Sequence, residues 1–155
     1  MNHHNQEVSQ NYVTLEKQID GDSMEPLLPN GSTILLLVDY YKTNTPKHGD
    51  IIAYHYGGNQ HPLIKTIRAI PGDMVMLDIK GKTLIINGIP LVNSAGTPYI
   101  FTSGELQLLG LYTKTGTLPV GAYLVFGDNV TNSIDSRKFG AISADNFYGK
   151  FILKP

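Results

Sequence analysis

Three short stretches carry residue types that can do chemistry. The first is Gly21-Asp22-Ser23-Met24-Glu25-Pro26. A serine between a glycine and a proline turn can present a hydroxyl together with a free backbone N–H, as a nucleophile with its oxyanion donor requires. The same Asp-Ser pair also reads as an ordinary turn or cap. The second stretch is Leu63-Ile64-Lys65-Thr66-Ile67. Strand alternation puts Leu63, Lys65 and Ile67 on one face. An ammonium buried there loses hydration, its pKa falls, and the neutral amine can act as a base. An edge-strand lysine would instead snorkel to water. The third stretch is Gly127-Asp128-Asn129-Val130-Thr131-Asn132-Ser133-Ile134-Asp135-Ser136-Arg137. Asp135 and Arg137 are a natural ion pair, and the Ser133 and Ser136 hydroxyls can donate to or accept from a nearby amine. A polar turn network or a cation loop remains open for this stretch, although it lacks the closing Glu of an EF-hand.

The elements that must position these residues read as β structure. Short runs rich in Val, Ile, Leu and Tyr cover 32–38, 50–56, 62–70, 74–79, 83–87, 121–126 and 147–153, separated by turn residues. Asp78-Ile79-Lys80-Gly81-Lys82 reads as a hairpin turn, with Asn87-Gly88 ending its second strand. Helix-length periodicity is absent; at most a turn or two follows Asn30 or lies near 144–147. The pattern predicts a mainly β domain of short strands over 13–155, after a disordered polar tail at 1–12. The less regular segment 92–117 reads as an insertion.

Composition excludes several classes. A formal net charge of −1 gives no basic surplus, so no nucleic acid is expected as a partner. The absence of cysteine excludes disulfides, thiolate metal sites and a cysteine nucleophile. No metal or other cofactor is expected: His3-His4 has no further ligand at a ligating spacing, and His48, His55 and His61 read as surface residues. The longest apolar run, 34–38, is far short of the roughly 20 residues of a membrane-spanning helix, and the polar N-terminal stretch has no secretory core.

Taken in order, the three stretches resemble the type I signal peptidase family. The serine box appears as Ser23-Met24-x-Pro26, a strand opening as Gly49-Asp50-Ile51-Ile52, and the lysine box as Lys65 with Pro71-Gly72-Asp73. The last box is complete from Gly127 to Arg137, with Phe139-Gly140 after it. The resemblance implies a mostly antiparallel β fold with a β-hairpin or loop insertion. It implies a serine endopeptidase in which Ser23 is the nucleophile and Lys65 the general base. Ser133 would orient the lysine, and Asp135 and Arg137 would pair beside it. Ile19, Gly21, Met24, Leu28 and Ile64 match positions that line pockets for small side chains. The implied substrates are exported preproteins cut after Ala-x-Ala-type sites, at a membrane surface with the active site outside the cytoplasm.

Two departures stand out. Thr66 occupies the place where the family usually has arginine, so Asp135 lacks one expected cation, for which Arg68 is a candidate. Gly21 supplies no hydroxyl to an oxyanion hole, which leaves that task to backbone N–H groups. Other readings of the same residues are a conjugation-type maturation peptidase, a self-cleaving repressor-type Ser–Lys protease and an inactive binding module on the same fold. The apolar groups at 98–101 and 106–111, with Tyr99, Phe101 and Tyr112, form either a membrane-facing patch or a satellite core.

Overall fold

The computed structural model describes residues 11–57 and 62–154. Most of the expected N-terminal tail, with His3, His4 and also His61, lies outside the described residues. The chain builds a six-stranded antiparallel sheet and a three-stranded one. The first contains β1 (Thr14–Gln18), β2 (Thr33–Val38), β3 (Ile51–Tyr54), β4 (Leu63–Ala69), β8 (Leu124–Phe126) and β9 (Phe147–Leu153). Their spatial order is β1-β2-β9-β3-β4-β8. The second is a meander of β5 (Val75–Asp78), β6 (Thr83–Ile86) and β7 (Ile89–Pro90). All seven sequence-predicted runs contain a strand.

Two strands were not foreseen. β1, TLEKQ, is exposed at every residue and pairs only with β2, so it carries no alternating pattern. Charged side chains on such an edge discourage further pairing. β7 exists because Asn87 and Gly88, both at positive φ, turn the chain back so that Ile89 faces Ile86. This is the two-residue hairpin such a pair favours, whereas the sequence reading ended the strand there.

The segment 92–117 is largely not a β-hairpin. It holds an isolated bridge of Val92 with Pro98, then the helix α1 (Ser103–Gly110), and ends on a bridge of Thr117 with Met74. Thr102 caps α1 through the Glu105 N–H, and the Glu105 side chain returns to the Thr102 N–H. This capping box fixes a helix too short to show periodicity. The segment's apolar residues divide, with Ile100 and Leu111 exposed and the larger part buried. Tyr99, Phe101, Leu106 and Leu109 are buried with Leu84, Ile86 and Phe126 in one core. Tyr112 packs against that core, so these side chains complete a satellite core rather than an exposed patch. A second core, of Ile19, Met24, Leu28, Ile34, Leu36, Ala53 and Phe151, lies under the serine turn. No described helix is long and apolar enough to cross a membrane.

Candidate active site

β4 places Lys65 opposite Ile52 of β3, on the sheet's buried side. The alternation holds: Lys65 and Ile67 are buried while Ile64, Thr66 and Arg68 are partly open. The serine comes from a turn between β1 and β2. There the Glu25 N–H bonds the Asp22 carbonyl and the Leu28 N–H bonds the Met24 carbonyl, which makes two overlapping turns around Ser23 with a cis peptide at Glu25-Pro26. Gly21 enters this turn at φ 100°, a conformation other residues adopt at a cost, and its N–H is held by Asn30 Oδ1.

The fold brings these two segments together. Lys65 Nζ donates to Ser23 Oγ over 3.2 Å, across 42 positions of sequence. Lys65 is only 2% exposed. Burial pushes its pKa down to about 8, with Asp135 nearby acting to raise it and Arg137 to lower it. A hollow beside the pair is lined by Gly21, Ser23, Leu63, Lys65, Ser133 and Ile134, among others. The Ser23 N–H makes no hydrogen bond among the described residues.

The loop following β8 fixes the serine turn from behind. The Asn129 N–H donates to the Ser23 carbonyl, and the Asn129 and Asn132 amides donate to Asp22. Gly127 is needed for its lack of a side chain. A β-carbon there would collide with Ser133 and come 2.5 Å from the Ser23 carbonyl oxygen. Asp135 is fully buried and accepts from the Gly127 N–H, the Arg137 N–H and the Arg137 guanidinium, the last at 2.7 Å and 2.9 Å. Arg137 also donates to the Val130 and Asn129 carbonyls, so the ion pair ties down the loop that holds Ser23. With four donors aimed at it, Asp135 does not need Arg68, which lines a different hollow together with His48 and Asn87. The Thr66 hydroxyl is buried without a partner.

The remaining anticipated residues sit in differing surroundings. Ser133 borders the same hollow as Lys65, but its buried hydroxyl has no hydrogen-bond partner among the described residues. The side chain is packed against Gly127. Ile19, Met24 and Leu28 are buried in the core under the serine turn. Of the anticipated pocket residues, Gly21 and Ile64 border open hollows. His48 lies at the surface, and its half-exposed ring bonds Asp73 at 2.6 Å. His55 is exposed, with its ring against Tyr148.

Sequence reasoning missed the contribution of the segment 92–117. Asp128 accepts from the Ser94 N–H and hydroxyl and from the Leu27 N–H, which joins that segment to the serine turn. Asn93 donates to the Asp128 carbonyl and the Tyr99 hydroxyl to the Gly127 carbonyl. The Arg137 guanidinium lies 5.1 Å over the Tyr99 ring.

A buried lysine bonded to a serine hydroxyl beside an open hollow is an arrangement suited to nucleophilic hydrolysis. The family described as "Signal peptidase, peptidase S26" matches residues 8–154 of this chain. The chain belongs to the signal peptidase family and is a peptidase. Signal peptidase IB of Staphylococcus aureus is 31% identical over 152 residues, covering 90% of this chain and 76% of that protein. Signal peptidase I of Leptolyngbya laminosa is 28% identical over 151 residues, covering 92% and 69%. A solved structure of a signal peptidase I from Enterococcus faecalis V583 is 30% identical, with a TM-score of 0.49, over 69% of this chain and 97% of that one.

Proposed function

We propose that this chain is a serine endopeptidase that removes signal peptides from exported preproteins, cutting after small residues at Ala-x-Ala-type sites. Ser23 is the nucleophile and Lys65 the general base. The observation that carries this reading is the bond from the buried Lys65 Nζ to Ser23 Oγ. With a pKa of about 8, roughly a tenth of the lysine is neutral at pH 7.

The neutral amine takes the hydroxyl proton as Ser23 Oγ attacks the scissile carbonyl carbon. The oxyanion that forms is met by the Ser23 N–H, which the fold leaves unengaged among the described residues. One such donor is typically worth about 3 kcal/mol in the transition state. The lysine ammonium then gives its proton to the departing amine, and the acyl group stays on Ser23. Lys65 next deprotonates a water that attacks this ester and frees the enzyme. The bare backbone of Gly21 and the side chain of Ile64 suit a substrate with small residues before the cut. The substrates meet the enzyme at a membrane surface, with the active site outside the cytoplasm.

The test is cleavage of a preprotein with an Ala-x-Ala site, followed by mass spectrometry of the products. Cleavage after the second Ala is expected, and both Ser23→Ala and Lys65→Ala are expected to lack it. Cleavage that persists in Ser23→Ala, or only self-cleavage of the parent chain, would overturn the assignment.

A further inference from the structure

The hollow beside Ser23 and Lys65, about 240 Å³, does not stand alone. It shares Asp20 and Leu63 with a hollow of about 380 Å³ that includes Ile64. It shares Ser133 with another of about 340 Å³, whose walls include Ile100, Glu105, Val130, Arg137 and Lys138. The reacting atoms therefore border the middle of three adjoining hollows. An extended peptide advances about 3.3 Å per residue, so one lying across Ser23 must continue in both directions.

We propose that the hollow adjoining Ser133 is the subsite for the first residues after the scissile bond, and that Lys138 at its rim selects an acidic side chain there. This rests on the proposed function, which sends the residues before the cut toward Gly21 and Ile64. The remaining hollow then receives the mature end of the substrate.

The charges around this hollow are unequal in freedom. Arg137 is committed to Asp135 and to the Asn129 and Val130 carbonyls. Glu105 is nearly buried and caps α1 through the Thr102 N–H. Lys138 is the open member: its side chain is 58% exposed and reaches Glu105 Oε2 at 3.1 Å. Glu105 keeps its bond from the Thr102 N–H, so the exposed ammonium of Lys138 can turn toward a substrate carboxylate without leaving Glu105 unpartnered. Ile100, 62% exposed, offers apolar surface to the methylenes of a glutamate. A substrate lysine would instead meet Lys138 and find Glu105 already engaged.

The test uses peptides identical up to the scissile bond that carry Glu, Gln or Lys at the first or the second position after it. The readout is the kcat/KM ratio of the Glu to the Lys peptide. The wild-type chain should prefer Glu over Lys at one of these positions by about 3- to 5-fold, the range of an exposed ion pair. Lys138→Ala should bring the ratio to about one and Lys138→Glu should invert it. Lys114→Ala, an exposed lysine that borders none of the three hollows, should keep the wild-type ratio. Equal cleavage of Glu and Lys peptides by the wild type would overturn the subsite while leaving the proposed function standing. A preference that survives in Lys138→Ala would overturn the role of that lysine. Failure to cleave any peptide would overturn the proposed function and the subsite with it.

Discussion

Replacing Lys65 by Met is expected to abolish cleavage and, at the same time, to stabilise the fold at neutral pH. Burial lowers the lysine from its ordinary 10.5 to about 8. A group whose pKa is lower folded than unfolded costs stability wherever the folded state holds the proton, here below about pH 8. The cost fades as pH rises from there and is gone above 10.5, where both states are neutral. The difference, 10.5 − 8 = 2.5 units, corresponds to about 3 kcal/mol at roughly 1.4 kcal/mol per unit. Losing the bond to Ser23 Oγ takes back about 1 kcal/mol, and Met fills a similar volume. The variant should therefore be more stable by about 2 kcal/mol at pH 7. At pH 10 the ionisation cost has fallen below about 1 kcal/mol, and the two proteins should be nearly equal. Urea unfolding at both pH values, followed by circular dichroism, measures the gap. A variant less stable than the parent at pH 7, or a gap that does not shrink by about 2 kcal/mol on going to pH 10, would refute the reasoning.

The kcat/KM of the parent should rise through neutral pH with a midpoint near 8 and level off about one unit above it; a lysine with its ordinary value would still be gaining activity at pH 10. Gly127→Ala should lower kcat by about 100-fold, because the new methyl displaces the Ser23 carbonyl and with it the nucleophile; single-turnover kinetics measures this. Tyr99→Phe should cost about 1–3 kcal/mol in urea unfolding, since the buried Gly127 carbonyl loses its partner. Ser133→Ala should leave the melting temperature unchanged or slightly raised, because its hydroxyl has no hydrogen bond to lose; a fall of several degrees would show that it is bonded in solution.

How much was legible in the sequence followed the range of the interactions. Seven strands could be read because their apolar runs are local and bounded by turn residues. β1 could not, since an edge strand with every side chain in solvent carries no burial pattern. α1 could have been found from Thr102-Ser103-Gly104-Glu105, a capping box immediately before an apolar run, although its eight residues bury only Leu106 and Leu109. At the site, Ser23 and Lys65 could be picked out from their types and neighbours as candidates for the proposed chemistry. Their meeting was not local information, and it came from the order of the boxes. The Ser133 hydroxyl could not be read in this way, because whether it finds a partner depends on packing against Gly127.

The depressed pKa of Lys65 is itself a product of distant parts of the chain. Lys65 is buried because β3 and β4 hold it on the inner side of the sheet while the serine turn packs against its amine. That turn is held by Asn129 and Asp128, and their loop is held in turn by Asp135 with Arg137 and by Asn93, Ser94 and Tyr99. The bonds from Asn93, Ser94 and Tyr99 to that loop span 35, 34 and 28 positions. Weakening any of them gives the loop freedom to move, and water can then reach the ammonium. Rehydration would raise the pKa of Lys65 and lower the neutral fraction at pH 7. In the proposed mechanism, then, the segment 92–117 supports catalysis without touching the reacting atoms. Its loss would appear as an alkaline shift of the pH–rate profile as well as a loss of stability.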